Sequence, residues 1–117
     1  DYAKNLLPPL PMEVDSTLAS YRELKNMIPG HGGENMLHSQ ALKDASMAHQ
    51  ILAHTQGDQI ILHLNGVYHT KNREGIISFM KLVHPDKILT ITSITEEATD
   101  NDFKDADFTL LIPVKMD

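Results

Sequence analysis

The sequence predicts an α/β fold, a partly parallel sheet flanked by helices, and three observations predict it. Apolar residues recur at helical spacing through the first half of the chain. Short continuous or β-branched apolar runs stand in the second half, with a helix-like segment between the first two. At 117 residues the chain has enough length for one core of modest size and not for two domains.

Each element follows in order. Residues 1–17 read as an extended lead-in, because Pro8, Pro9 and Pro11 fix φ and remove backbone donors. Asp15-Ser16-Thr17 offers a cap for a first helix, Leu18 to Ile28, with Leu18, Tyr21, Leu24 and Ile28 on one stripe. Pro29-Gly30-His31-Gly32-Gly33 ends it, and His31 reads as the tip of a flexible loop. A second helix is predicted from Glu34 or Asn35 to His54. Its stripe holds Met36, Leu37, Gln40, Asp44, Met47, Ala48, Ile51 and Leu52. The run Gln59 to Leu64 is apolar at nearly every position, as in a central parallel strand buried on both faces. A third helix is expected from Arg73 to Val83 and is closed by His84-Pro85-Asp86. Lys87–Ile94 and Asp107–Ile112 are the remaining strands, and Pro113 ends the last. Three strands make a thin sheet with open edges, a liability that calls for a companion chain or a dimer.

Composition removes several functions. The formal charge is −6, and no basic stripe is present to follow a phosphate backbone, which argues against nucleic acid. With no cysteine, disulfides, thiolate nucleophiles and zinc–sulfur sites are excluded. No apolar run reaches the roughly 18 residues of a membrane span. The acidic stretch from Glu96 to Asp107 reads as a solvated loop face. No signal-peptide pattern opens the chain, and a start without Met fits a mature or cut form. Seven histidines are many for this length.

Chemistry concentrates at two places. Asn65-Gly66-Val67-Tyr68-His69 follows the first predicted strand directly, at the carboxyl end where open α/β sheets bind ligands. Gly66 gives backbone freedom, Asn65 and Tyr68 can orient a ligand, and His69 can ligate a metal, bind an anion or move a proton. The alternative is a turn whose polar residues bond to local backbone. On the second helix Gln40, Asp44 and Met47 share a face. A carboxylate on an apolar stripe needs partners, so Asp44 orients a histidine, binds a cation or accepts backbone hydrogens. His38, His49 and His54 fall on polar positions, His63 alternates with Leu62 and Leu64 inside the predicted strand and is read as facing a helix, and Tyr21 is a core aromatic by spacing.

Two segments carry a resemblance. Gln40-Ala41-Leu42-Lys43-Asp44-Ala45-Ser46-Met47-Ala48, followed by Ile61-Leu62-His63-Leu64-Asn65-Gly66-Val67-Tyr68-His69, resembles the ChaN-like haem-binding lipoproteins, part of a group with Tiki-like and erythromycin-esterase-like proteins. Gly75-Ile76, the Ile88–Ile94 run and Ala106-Asp107-Phe108 are similar as well, so the resemblance spans about Met36 to Pro113.

It implies that residues 1–34 are a proline- and glycine-rich connector. Residues 35–117 would then form the carboxy-terminal half of a larger α/β domain, with its amino-terminal half supplied elsewhere. It implies a periplasmic or outer-membrane lipoprotein of the bacterial envelope, lipid-anchored outside this sequence, homodimeric and engaged in haem or iron uptake. Haem is the implied cofactor, with a divalent metal as the alternative. Tyr68, His69, Tyr21 and Met47 are the implied haem contacts, with a tyrosine (Tyr21, Tyr68 or Tyr2) the expected iron ligand and a histidine nearby, His69 the metal ligand, and Gln40, Asp44, Asn65 and Gly66 the pocket lining. The wider group implies instead a hydrolase in which His69 and Asp44 are catalytic, and a non-catalytic interaction role is the third reading.

Overall fold

The computed structural model describes residues 2–27, 30, 32–81, 83, 85–100 and 102–114. His31, and the predicted helix boundaries at Ile28 and His84, lie outside the described residues. Two α-helices, α1 (Ala19–Met27) and α2 (Gly33–His54), precede a two-stranded parallel sheet of β1 (Ile91–Thr95) and β2 (Phe108–Ile112). Short 3-10 turns join them, so the chain is a small α/β fold.

α2 is the spine. Gly32 takes φ 64° at its amino end, a left-handed conformation that glycine adopts without steric cost. The buried face is Leu37, Gln40, Ala41, Asp44, Ala45 and Ala48. Three alanines on that face let neighbouring backbone approach closely. α1 packs on one flank and the turns of Gly75–Phe79 on the other. Tyr21, Leu37 and Ala41 form the core, closed by Met12, Val14, Leu18 and Phe79.

The expected cap on α1 is replaced. Asp15 turns its carboxylate to the Thr17 N–H (2.9 Å) and hydroxyl (2.6 Å). The free N–H groups of α1 are satisfied from far away. Glu74 accepts from Ala19 N (3.1 Å) and Ser20 N (2.7 Å). A carboxylate there also meets the positive end of the helix dipole.

Two predicted elements differ. Gln59–Leu64 has no strand pairing, and Ile60, Leu62 and Leu64 are more than four-fifths exposed, at 97%, 81% and 84%. A central strand needs a hydrogen-bonded neighbour on each side, and β1 and β2 pair only with each other among the described residues. The described residues of 73–83 do not form the predicted α-helix. Asn72 (φ 57°), Arg73 (φ 58°) and Gly75 (φ 58°) are left-handed, which stops α-helical propagation and leaves the 3-10 turn Gly75–Phe79.

The last two strands form in parallel, with Ile91 opposite Phe108 and Thr95 opposite Ile112. Residues 96–107 make the crossover that parallel pairing requires. Asp107 pins the start of the ladder. It accepts from Thr90 N (2.8 Å), from the Thr90 hydroxyl (2.8 Å) and from Arg73 Nη1 (2.5 Å). The Thr90 backbone bond, then its hydroxyl, holds the Asp107 carboxyl below its usual range. Arg73 Nη2 also donates to the carbonyls of Pro85 and Ile88, tying sheet to turns.

Candidate functional site

A buried carboxylate is the centre of the site. Asp44 is fully buried on α2. It accepts the Tyr21 O–H through Oδ2 (2.7 Å), and its Oδ1 lies 2.5 Å from His69 Nδ1. Burial pushes its carboxyl up, while the bonds from His69 and Tyr21 oppose that shift. Tyr21 is buried as deeply, and burial followed by the Asp44 carboxylate raises its phenol strongly. A phenol so placed keeps its proton and donates it to Asp44.

This contact fixes the tautomer of His69. A carboxylate only accepts, so the neutral ring carries its proton on Nδ1 and leaves a lone pair on Nε2. The Gln40 amide sits 2.9 Å from the same Nδ1. The near atom is the amide nitrogen Nε2, which would donate to an unprotonated Nδ1; only with the amide turned over would its oxygen share the Nδ1–H with Asp44. His69 is about one-fifth exposed, at 21%. Its turn, Val67–His69, closes through His69 N to the Gly66 carbonyl at 3.0 Å.

Glycine matters here, but at Gly75 rather than Gly66. Gly66 has φ −68°, open to any residue, and an added Cβ would make ordinary contact with His69 Cδ2 at 3.8 Å. Gly75 has φ +58°, and a Cβ there would stand 2.4 Å from the His69 carbonyl oxygen and 3.2 Å from Asp44 Oδ2. Glu74 and Gly75 therefore act as a pair. One holds the start of α1, which carries Tyr21, and the other lets the chain close over Asp44 and His69.

The remaining predicted residues fall around this centre. Tyr68 donates to Glu23 Oε1 (3.0 Å), and Lys71 Nζ lies 5.4 Å from its ring centroid. Burial and then the Glu23 bond raise the Tyr68 phenol. Lys71 is raised on balance: burial lowers it, but the bond to Glu23 and the charges of Asp105 and Glu23 outweigh that. Asn65 donates to the Gly66 carbonyl (2.8 Å) and the Thr70 hydroxyl (3.2 Å), bracing the loop. Met47 is half-buried three residues beyond Asp44 on α2.

Sequence reasoning missed Glu74 as a positioning residue and gave Gly75 no part in the site. A glycine within a predicted helix was the available signal for Gly75. Nothing local marks Glu74, since its partners lie 54 and 55 positions away.

The arrangement holds a one-fifth-exposed imidazole by Nδ1 on a buried carboxylate and leaves Nε2 without a hydrogen bond among the described residues. That donor set suits haem iron, for which an imidazole is one of the usual ligands, tuned by what its other nitrogen bonds. It does not suit a protein-caged divalent ion, because no three His, Asp or Glu side chains converge among the described residues.

The family model described as haem-binding uptake, Tiki superfamily, ChaN, matches residues 1–80, and the chain belongs to that family. The matched span takes in the proline-rich lead-in together with Tyr21, Asp44 and His69. Among curated proteins and among solved structures, nothing matches.

Proposed function

We propose that this chain binds haem through His69 Nε2, as part of haem or iron uptake in the cell envelope. The observation that carries the reading is the His69–Asp44 contact of 2.5 Å at a fully buried carboxylate. Bound haem would supply the iron that His69 ligates. The chain's own residues do the rest. Asp44 holds the Nδ1 proton, Tyr21 and Gln40 hold Asp44 and the ring in place, and the burial of Asp44 keeps water from competing for His69.

Tyr21 is a positioning residue in this account, since its hydroxyl is spent on Asp44. Tyr68 is engaged with Glu23, so its hydroxyl also has a partner to leave before it can reach a ligand. The homodimer and the lipoprotein location belong to the same proposal. The exposed apolar residues Phe108, Leu110 and Ile112 of β2 support a second copy as cover.

The test is a titration of haemin into the purified chain, followed at the Soret band. A saturable red shift at one haem per chain is expected, and His69→Ala should weaken binding at least tenfold. Unchanged binding in His69→Ala would remove His69 from the ligand set.

The hydrolase alternative uses the same dyad as a general base. It would show as turnover of an ester that His69→Ala abolishes with the fold intact.

A further inference from the structure

The run from Ile60 to Asn65 has the pattern of a strand and no partner. Ile60, Leu62 and Leu64 stand out into solvent, while Ile61 between them is only 39% exposed, the two-residue period of a strand. No backbone hydrogen bond reaches residues 60–65 among the described residues. β1 pairs there with β2 alone, so its other edge is open as well. The two segments line one groove, with His63, Leu64 and Asn65 on one bank and Ile91, Thr92 and Ser93 on the other. What such a groove offers is mostly backbone and hydroxyl, which is what an added strand bonds to.

Neither bank carries the devices that keep strand edges apart. Residues 59–67 and 91–95 contain no Lys, Arg, Asp, Glu or Pro. The chain has a formal charge of −6, so two copies can meet closely only where that charge is absent, and these segments are such places.

The run is also complementary to itself. In an antiparallel pair of two copies centred on Leu62, Ile60 stands opposite Leu64 and Ile61 opposite His63. Ile60, Leu62 and Leu64 of both copies then share one face. Asp58 falls opposite Gly66, so no like charges meet. The area is sufficient too. Ile60, Ile61, Leu62, Leu64, Val67 and Ile91 leave open on the order of 400 Å² of apolar surface, at roughly 100 Å² per whole aliphatic side chain. Homodimer interfaces are about 65% apolar, so the patch amounts to about 600 Å² per copy, the lower end of the specific class.

We infer that a second copy of this chain docks here, each copy laying its Gln59–Leu64 run into the groove between the other's run and β1. The exchange is reciprocal and closed by a two-fold axis through Leu62. It joins the two small sheets into one and gives the predicted central strand the neighbours it lacks. The inference deepens the homodimer reading above and makes no use of haem.

The chain has no cysteine, so one introduced thiol reports the register. Leu62→Cys places two thiols directly opposite, about 4.5–5.5 Å apart between Cα atoms, within disulfide reach. Ile60→Cys places them four residues apart, roughly 13 Å, beyond it. With oxidised glutathione as oxidant, Leu62→Cys should give a covalent dimer and Ile60→Cys none. Equal cross-linking of the two would overturn the register and the inference.

Sedimentation equilibrium of the haem-free chain tests the contact itself. The wild type should be dimeric at micromolar concentration, and Leu62→Lys should weaken the dimer at least tenfold by setting two lysines face to face. Leu62 is exposed, so the variant keeps the monomer fold, which circular dichroism checks. A wild-type dimer that Leu62→Lys leaves unchanged would overturn this mode of docking while the homodimer stands. A monomeric wild type would overturn both and leave the groove to a strand from another polypeptide.

Discussion

Replacing Asp44 with Asn keeps the shape of the buried group and changes what it can accept. The carboxylate receives two donors, Tyr21 O–H at 2.7 Å and His69 Nδ1–H at 2.5 Å. An amide offers one acceptor and one donor group, so one of those contacts must reverse. If the amide nitrogen faces Tyr21, the phenol proton is left buried and unpaired, at a cost of about 1–3 kcal/mol. If it faces His69, the ring accepts at Nδ1 and moves its proton to Nε2, and both the Tyr21 hydroxyl and the ring keep a partner. The second arrangement wins.

The loss of two charge-assisted bonds, about 1.5–3 kcal/mol each against about 1 for neutral ones, lowers stability. Relief of the buried charge offsets part of that, since burial already works against the ionised form of Asp44. We expect a net loss of about 1–2 kcal/mol by chemical denaturation. Haemin affinity should fall by at least tenfold, because Nε2 now carries a proton where the iron must bind. Nitrogen–proton correlation should show the inverted tautomer in the same sample. Wild-type haemin affinity in Asp44→Asn, or a His69 still protonated on Nδ1, would refute the reasoning.

Three further outcomes follow from the same geometry. Gly75→Ala must hold φ +58° and push back the His69 carbonyl, so it should destabilise by more than the roughly 1 kcal/mol of left-handed strain alone, with haemin binding lost alongside, as read by denaturation and titration. Tyr21→Phe removes a donor from a buried carboxylate and should cost about 1.5–3 kcal/mol while the Soret shift on haemin addition persists; complete loss of that shift in a folded variant would make Tyr21 the iron ligand. Asp107 has a lowered folded pKa against an ordinary value of 3.8, so its share of stability is present above that value and lost as pH falls through the lowered one. In Asp107→Ala that acid-side loss should be reduced, which pH-dependent denaturation would register.

The parts of this fold that were legible in the sequence are those whose signals are local. α2 announces itself by its stripe, and the observed Gly33–His54 begins one residue before the predicted boundary. β1 and β2 stand where β-branched and apolar runs stand, although β1 starts later than Lys87 because Pro85–Lys87 forms a turn. Gln59–Leu64 reads as a strand because its side chains favour one, yet a strand exists only with a partner, and pairing is not written into a run of leucines and isoleucines. Asp44 was singled out because a carboxylate on an apolar helix face needs a partner, and His69 because it follows the predicted strand at its carboxyl end. That they meet each other depends on Gly75, whose left-handed turn lies outside both motifs. The role of Tyr21 was hidden in its spacing: a tyrosine on a core stripe looks like any other aromatic until its hydroxyl is placed.

Nitrogen hyperfine coupling in the ferric-haem complex of a chain labelled with nitrogen-15 histidine tests the central claim most directly. The account predicts a strongly coupled histidine nitrogen that disappears in His69→Ala and weakens in Asp44→Asn. A ferric complex with no coupled histidine nitrogen, or one whose coupling survives His69→Ala unchanged, would contradict it.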